Sequence, residues 1–252
     1  MRVDFSGKVA LVTGGGRGIG RAISVALARC GAEVAINYRA NATAADETLE
    51  EIQQANGRAW TIQADVSSGT EVRSMFDRIR DRFGNRLDIL VNNAGSLERS
   101  MLADLTEESW DDAMNTNVKS VFLCTQAAVP LLPDHSGRIV NVTSISARSG
   151  GVADSLHYGA AKAAVSNFTR GCAKVLAPRG ITVNGIAPGV IYTDLHKYGT
   201  PKDELASLSA RIPLQRLGET ADCVGAVLLL CSPMGSYITG EIIEINGGML
   251  MS

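Results

Sequence analysis

Two side chains with complementary acid–base chemistry, Tyr158 and Lys162, stand four residues apart in the run Leu156-His157-Tyr158-Gly159-Ala160-Ala161-Lys162. In a helix that spacing puts both on one face, about 6 Å apart along the axis. A free phenol has a pKa of about 10, too high for proton transfer at neutral pH. A neighbouring ammonium favours the phenolate, and a shift of about 3 units would represent roughly 4 kcal/mol. Tyr–Lys pairs at this spacing also decorate many helix surfaces, so the pair gains meaning only from its company. Ser144 closes the apolar run 138–144, and Asn92-Asn93-Ala94-Gly95 closes the run that begins at Leu87. In open α/β sheets, ligands bind at such carboxyl ends of strands. Asn117 lies in the long amphipathic stretch between the two.

A second constellation sits near the start. Thr13-Gly14-Gly15-Gly16-Arg17-Gly18-Ile19-Gly20 separates a buried apolar run from an amphipathic one. Glycines there permit a tight turn and let backbone N–H groups approach a pyrophosphate, with the helix N-terminus adding partial positive charge. No Gly-Lys-Ser/Thr follows, which argues against a P-loop NTPase; a Rossmann methyltransferase stays open on this motif alone. The next strand ends Ile36-Asn37-Tyr38-Arg39-Ala40-Asn41, with no acid before Asp46. An acid at that end would hold the ribose hydroxyls of NAD(H) and repel a 2′-phosphate. Arg39 and Arg17 would attract one. The pattern therefore favours NADP(H) over NAD(H).

The elements that must hold these residues alternate along the chain. Apolar runs at 8–13, 33–37, 59–63, 87–92, 138–144, 181–187 and 241–245 read as seven strands. Between them, 19–30, 43–55, 70–83, 110–132, 157–176 and 221–230 carry helical periodicity. This predicts an α/β fold, a Rossmann-type doubly wound seven-stranded parallel sheet with helices on both faces, in a single domain spanning 1–252. The proline-punctuated stretch 188–218, with Tyr192, Leu195, His196 and Tyr198, reads as a substrate lid.

Taken together, these motifs resemble the short-chain dehydrogenase/reductase family over essentially the whole chain. The glycine motif, Asp65-Val66, Asn92-Asn93-Ala94-Gly95, Asn117, Ser144, the Tyr158–Lys162 pair, Pro188-Gly189 and Ile245-Asn246-Gly247-Gly248 occur in the family order. The resemblance implies that Tyr158 is the general acid in reduction and the base in oxidation. Lys162 would hold the nicotinamide ribose and depress the Tyr158 pKa. Ser144 would steady the substrate oxygen, and Asn117 would position a water linking Lys162 to solvent. The implied cofactor groove comprises Gly14, Gly16, Arg17, Gly18, Ile19, Gly20, Asn37, Tyr38, Arg39, Asp65, Val66, Asn93, Ala94, Gly95, Tyr158, Lys162, Pro188, Gly189, Ile191 and Thr193. One departure is that Ser144 and Tyr158 stand 14 positions apart, slightly more than is common, which assigns an extra residue to 149–155.

Composition excludes several other classes. The 252 residues carry 24 basic and 26 acidic side chains without a long run of one sign, so neither nucleic acid nor an anionic membrane is an expected partner. His135, His157 and His196 lack metal-ligand spacing, and no metal is expected. Five scattered cysteines with no C-x-x-C pair suit free thiols in a reducing cytoplasm. The first nine residues hold Asp4 and Lys8 and lack a signal-peptide core. The expected partners are a small-molecule carbonyl or alcohol and further copies of the chain in a homotetramer. Resemblance offers two alternatives, a 3-oxoacyl-acyl-carrier-protein reductase and a glucose-type dehydrogenase. A non-catalytic nucleotide sensor on the same fold is the remote one, since a sensor needs no converging phenol, ammonium and hydroxyl.

Overall fold

A computed structural model describes residues 3–193 and 202–251. The strands β1 (Val9–Val12), β2 (Glu33–Tyr38), β3 (Arg58–Gln63), β4 (Ile89–Asn92), β5 (Arg138–Val142), β6 (Thr182–Pro188) and β9 (Ile242–Ile245) form one parallel sheet in the order β3-β2-β1-β4-β5-β6-β9. The order reverses between β1 and β4, the crevice where this architecture binds ligands. A minor parallel pair, β7 (Ile191–Tyr192) with β8 (Gly218–Glu219), closes the base of the lid stretch.

Alternation along each strand divides the core between the two faces. Ala10, Val12, Val34, Ile36, Val91 and Val140 pack beneath α1 (Gly18–Arg29), α2 (Ala42–Gln54) and α9 (Val224–Cys231). Leu11, Ala35, Leu90, Ile139 and Val183 face α3 (Gly69–Phe83), α5 (Ser120–Ala128) and α7 (Leu156–Leu176). Strands buried on both sides explain why their sequences read as unbroken apolar runs.

The structure corrects one helix. The stretch expected as a single helix over 110–132 begins earlier, as α4 (Glu107–Met114), capped by Thr106 Oγ1 on the Ser109 N–H at 3.1 Å. A π-helical turn (Asn115–Lys119) then separates it from α5, and helix ends at Ala128. A short helix, α6 (Ser146–Ser149), precedes α7, and α8 (Lys202–Ala210) lies within the lid stretch. Leu195, His196 and Tyr198 fall outside the described residues.

Candidate active site

The glycine loop is bolted down from behind. Gly14 N–H donates to Asn37 Oδ1 at 3.3 Å and Gly15 N–H to Asn37 O at 2.9 Å. Asn37 Nδ2 donates to Ala64 O at 3.0 Å and Ile62 O at 3.3 Å, and the residue is 1% exposed. Asn37 thus supports the loop from beneath and presents no carboxamide to the groove. Asn93 acts alike, its Nδ2 donating to Thr13 O at 2.9 Å and Gly14 O at 3.1 Å. Thr13, which the motif reading passed over, is the third bolt: its Oγ1 accepts the N–H groups of Asn93 and Ala94, each at 3.0 Å.

Gly14 and Gly18 adopt φ of +60° and +54°, a left-handed turn that L side chains resist. A Cβ on Gly20 would strike Gly14 O and lie 2.5 Å from Asn93 Nδ2. The turn delivers the chain into α1, whose N-cap Arg17 makes no side-chain cap and whose first turn holds no acid. Its leading N–H groups are thus left for an anion. Thr193 Cγ2 lies 3.7 Å from where a Gly18 Cβ would stand, so the base of the lid stretch faces this loop.

At the far end of the groove, a cleft of about 460 Å³ is lined by Arg39, Asp65, Ser67, Ser96, Thr116 and Lys119. Partial burial pushes the Asp65 carboxyl up, but the N–H and hydroxyl of Ser67 and the charges of Arg39 and Lys119 outweigh it, holding the group below the usual carboxylate range. Arg39 is exposed, its nearest carboxylate oxygen 3.8 Å away on Asp65, so its guanidinium is free to take another anion. Lys119, on the π turn, carried no motif signal. Val66 is buried and Tyr38 half-buried, while Pro188 ends β6 and Gly189 and buried Ile191 follow it.

The four candidate catalytic residues come from three places in the chain, the π turn, the end of β5 and α7, and meet at the carboxyl edge of the sheet. Lys162, on α7, is buried, and its Nζ donates to Val142 O at 2.9 Å. Burial pushes its pKa down to about 8. Gly95 touches two of the four, because a Cβ there would lie 2.6 Å from Asn117 Oδ1 and 3.3 Å from Lys162 Nζ. Asn117, fully buried in the π turn, donates from Nδ2 to Ser96 O and Ala113 O, both at 3.0 Å, and accepts Ser96 N–H at 3.3 Å. π turns recur at functional sites.

Tyr158 departs from expectation. Burial raises its phenol above the ordinary range, and the Ser144 hydroxyl beside it offsets only part of that rise. Lys162 Nζ faces the ring, 5.6 Å from the centroid, while bonded to Val142 O. The chain's own groups therefore hold Tyr158 as a neutral donor.

Within 149–155, the stretch to which the sequence assigns the extra residue, Gly150 and Gly151 form a tight loop with φ of +81° and +83°. That loop is latched to the one after β4 by Ser100 N–H to Asp154 O at 2.8 Å and by an Arg99–Asp154 ion pair at 3.2 Å. Among the described residues, no cluster of three or more His, Cys, Asp or Glu could hold a metal ion, and no helix is long and apolar enough to cross a membrane.

Comparison with known proteins fits this geometry. A family model described as Enoyl-(Acyl carrier protein) reductase matches residues 14–250. The 3-oxoacyl-[acyl-carrier-protein] reductase FabG of Staphylococcus epidermidis is 42% identical over 245 residues, covering 97% of this chain and 99% of the relative. The chain belongs to the short-chain dehydrogenase/reductase family. A short chain dehydrogenase from Burkholderia cenocepacia, solved in complex with NADP, superposes with a TM-score of 0.91 at 40% identity, covering 99% of each chain. LugOII, a promiscuous reductase that catalyses keto-reduction at C1 in lugdunomycin biosynthesis, gives a TM-score of 0.92 at 38% identity over the full length of both. This member of the family is an oxidoreductase acting on carbonyl or hydroxyl groups.

Proposed function

We propose that the chain is an NADPH-dependent reductase of small-molecule ketones, running in reverse as an alcohol dehydrogenase. The observation that carries this reading is the convergence of Tyr158, Ser144, Lys162 and Asn117 beside a glycine loop that feeds an uncapped helix. The cradle fits a dinucleotide, because a Cβ at Gly14, Gly15, Gly16 or Gly20 would crowd neighbouring backbone, which leaves those positions to main chain alone. Gly14, Gly16, Gly18, Ile19 and Gly20 would hold the pyrophosphate, Arg39 and Arg17 a 2′-phosphate, Asp65 and Val66 the adenine. Ala94, Gly95, Lys162, Pro188, Gly189, Ile191 and Thr193 would hold the nicotinamide half, with Asn37 and Asn93 shaping the loop behind. Bound there, NADPH supplies the hydride and, once oxidised, a positively charged ring.

In reduction, the Ser144 hydroxyl and the Tyr158 phenol both donate hydrogen bonds to the substrate oxygen. As charge develops on that oxygen, Tyr158 Oη gives up its proton to it. The resulting phenolate is steadied by Ser144 Oγ and the Lys162 ammonium. An ammonium has three donors, so Lys162 Nζ keeps two beyond Val142 O for a ribose and for a water held at Asn117 Oδ1. The stretch 188–218 acts as the substrate lid.

A second reading, reduction of 3-oxoacyl thioesters on a carrier protein, is favoured by the full-length likeness to FabG. An acidic carrier needs a basic landing patch. Here Arg179 is spent on Asp134 at 2.7 Å and on Val129 O and Leu132 O, which weighs for the small ketone. The chain assembles as a homotetramer in the cytoplasm, an assembly supported by exposed Phe122 and Val175 on α5 and α7 and by exposed Met251. NADPH oxidation by purified enzyme, measured against ketones, sugars and acyl thioesters with a Tyr158→Phe control, tests the assignment. Turnover confined to acyl thioesters, or retained by the control, would overturn it.

A further inference from the structure

Beneath the site, a chain of buried side-chain hydrogen bonds crosses one face of the sheet. Asn92 Nδ2 donates to Thr125 Oγ1 on α5 at 3.2 Å and to Asn141 Oδ1 on β5 at 2.8 Å. Asn141 Nδ2 donates to Thr169 Oγ1 on α7 at 2.8 Å, and Thr169 Oγ1 donates to Val165 O at 2.8 Å. All four side chains are buried, and Asn92 and Asn141 are register partners on neighbouring strands.

Each member belongs to an element that delivers part of the site. β4 runs into Gly95 and β5 into Ser144; α5 follows the π turn of Asn117; α7 carries Tyr158 and Lys162. We infer that Asn141 and Thr169 are positioning residues for proton transfer: their bond fixes α7 along β5, and with it the approach of Tyr158 to Ser144. The inference rests on the roles given above to those two residues.

The physical case is one of leverage. α7 is bonded to β5 at two points, Lys162 Nζ on Val142 O and Thr169 Oγ1 under Asn141 Nδ2. These lie seven residues apart, close to two full turns and about 10 Å along the axis, so they share one face. A single attachment would leave the helix able to rock about it. Between them the buried residues are Val165, whose contacts are non-directional, and Ser166, whose hydroxyl donates to Lys162 O within the helix, so neither fixes an axial position. Buried, directional bonds do, because sliding would strand a carboxamide N–H without a partner.

Thr169→Val removes the hydroxyl at nearly constant volume, and Thr169→Ser retains it. Both are made in the full chain and compared with wild type for NADPH affinity, turnover of a ketone that wild type reduces, folded fraction, and the Tyr158 ionisation midpoint. That midpoint is read as the ultraviolet difference between each protein and its Tyr158→Phe counterpart. We expect Thr169→Val to bind NADPH within about twofold of wild type while turnover falls about 10- to 100-fold, the scale of a small misplacement of a reacting group. Weaker contact with Ser144 should raise the phenol midpoint by roughly half a unit, and Thr169→Ser should restore both readouts. Wild-type-like turnover and midpoint in Thr169→Val would overturn the inference. So would a loss that serine fails to restore, or one that follows the folded fraction. If wild type turned over no carbonyl at all, the functional reading would fail, while the phenol titration would still decide the role of Thr169.

Discussion

Replacing Lys162 with methionine should make the protein more stable while abolishing its chemistry. The ammonium is fully buried, and its pKa falls from an ordinary 10.5 to about 8 through loss of hydration. A gap of about 2.5 units corresponds to about 3 kcal/mol by which the folded state disfavours the charged form. Methionine keeps a flexible stem and removes the charge, but gives up the charge-assisted bond to Val142 O, a loss of about 2 kcal/mol. The net gain is then about 1 kcal/mol, or roughly 2–4 °C in Tm for a chain of this length. Its pH dependence has a fixed sign. Below about pH 8 both folded and unfolded chains carry the proton, and wild type bears the whole penalty. Between about 8 and 10.5 the unfolded chain binds a proton that the folded chain does not, so wild-type stability climbs relative to the variant. Thermal unfolding of the two proteins at pH 7 and pH 10 should therefore show a clear gap that narrows at the higher pH. A variant less stable than wild type at pH 7, or a gap that ignores pH, would refute the argument.

Tyr158→Phe should lower turnover by at least about 10²–10⁴-fold with NADPH affinity nearly unchanged, measured by steady-state kinetics and cofactor titration. In the oxidative direction, wild-type rates should climb as pH rises toward the phenol's own midpoint, since the base is the phenolate. Arg39→Ala should weaken NADPH by about 1–3 kcal/mol and leave NADH nearly unaffected; equal losses for both cofactors would detach Arg39 from the 2′-phosphate. His157, fully buried with neither ring nitrogen hydrogen-bonded among the described residues, strands a polar group that His157→Leu would remove. That variant should keep turnover within a few fold and gain about 1 kcal/mol of stability, whereas a collapse of turnover would move the acid–base role to the histidine. Light scattering at micromolar concentration should return about four times the 26.6 kDa chain mass.

Much of the fold was legible because the central strands of the main sheet are buried on both faces and the flanking helices on one. That burial imprints unbroken apolar runs on β1 and β4 and a 3.6-residue period on α3 and α7. The pair β7–β8 was not legible, since two-residue strands carry no period. Nor was the π turn, which has no glycine or proline to announce it. Its cause is a competition within the helix, where Asn117 Nδ2 takes Ala113 O, the acceptor that α-helical pairing would give to the Asn117 N–H. The polar chain from Thr125 to Thr169 was hidden for another reason: its members come from four separate elements, and only the sheet register brings Asn92 beside Asn141.

The site divides along similar lines. Tyr158, Lys162, Ser144 and the glycines could be read because their chemistry or conformation is unusual for their elements. Asn37 and Asn93 could not be read fully, because an asparagine at a strand end serves equally as a ligand contact or as a clamp. The structure makes both of them clamps, and this bears on cofactor choice. With its carboxamide spent on Gly14, Ile62 and Ala64, Asn37 offers no acceptor to ribose hydroxyls. Recognition at that end then passes to Arg39, which is exposed and only loosely paired. An acid placed at Asn37 would enter a site that is 1% exposed, where it could not donate the two hydrogen bonds that Ile62 O and Ala64 O now accept. Asn37→Asp should accordingly loosen the glycine loop and weaken NADPH and NADH together, instead of exchanging one for the other. Titrating both cofactors against this variant separates the outcomes: a clean switch toward NADH would show that position 37 touches the ribose directly, and the clamp reading would fall.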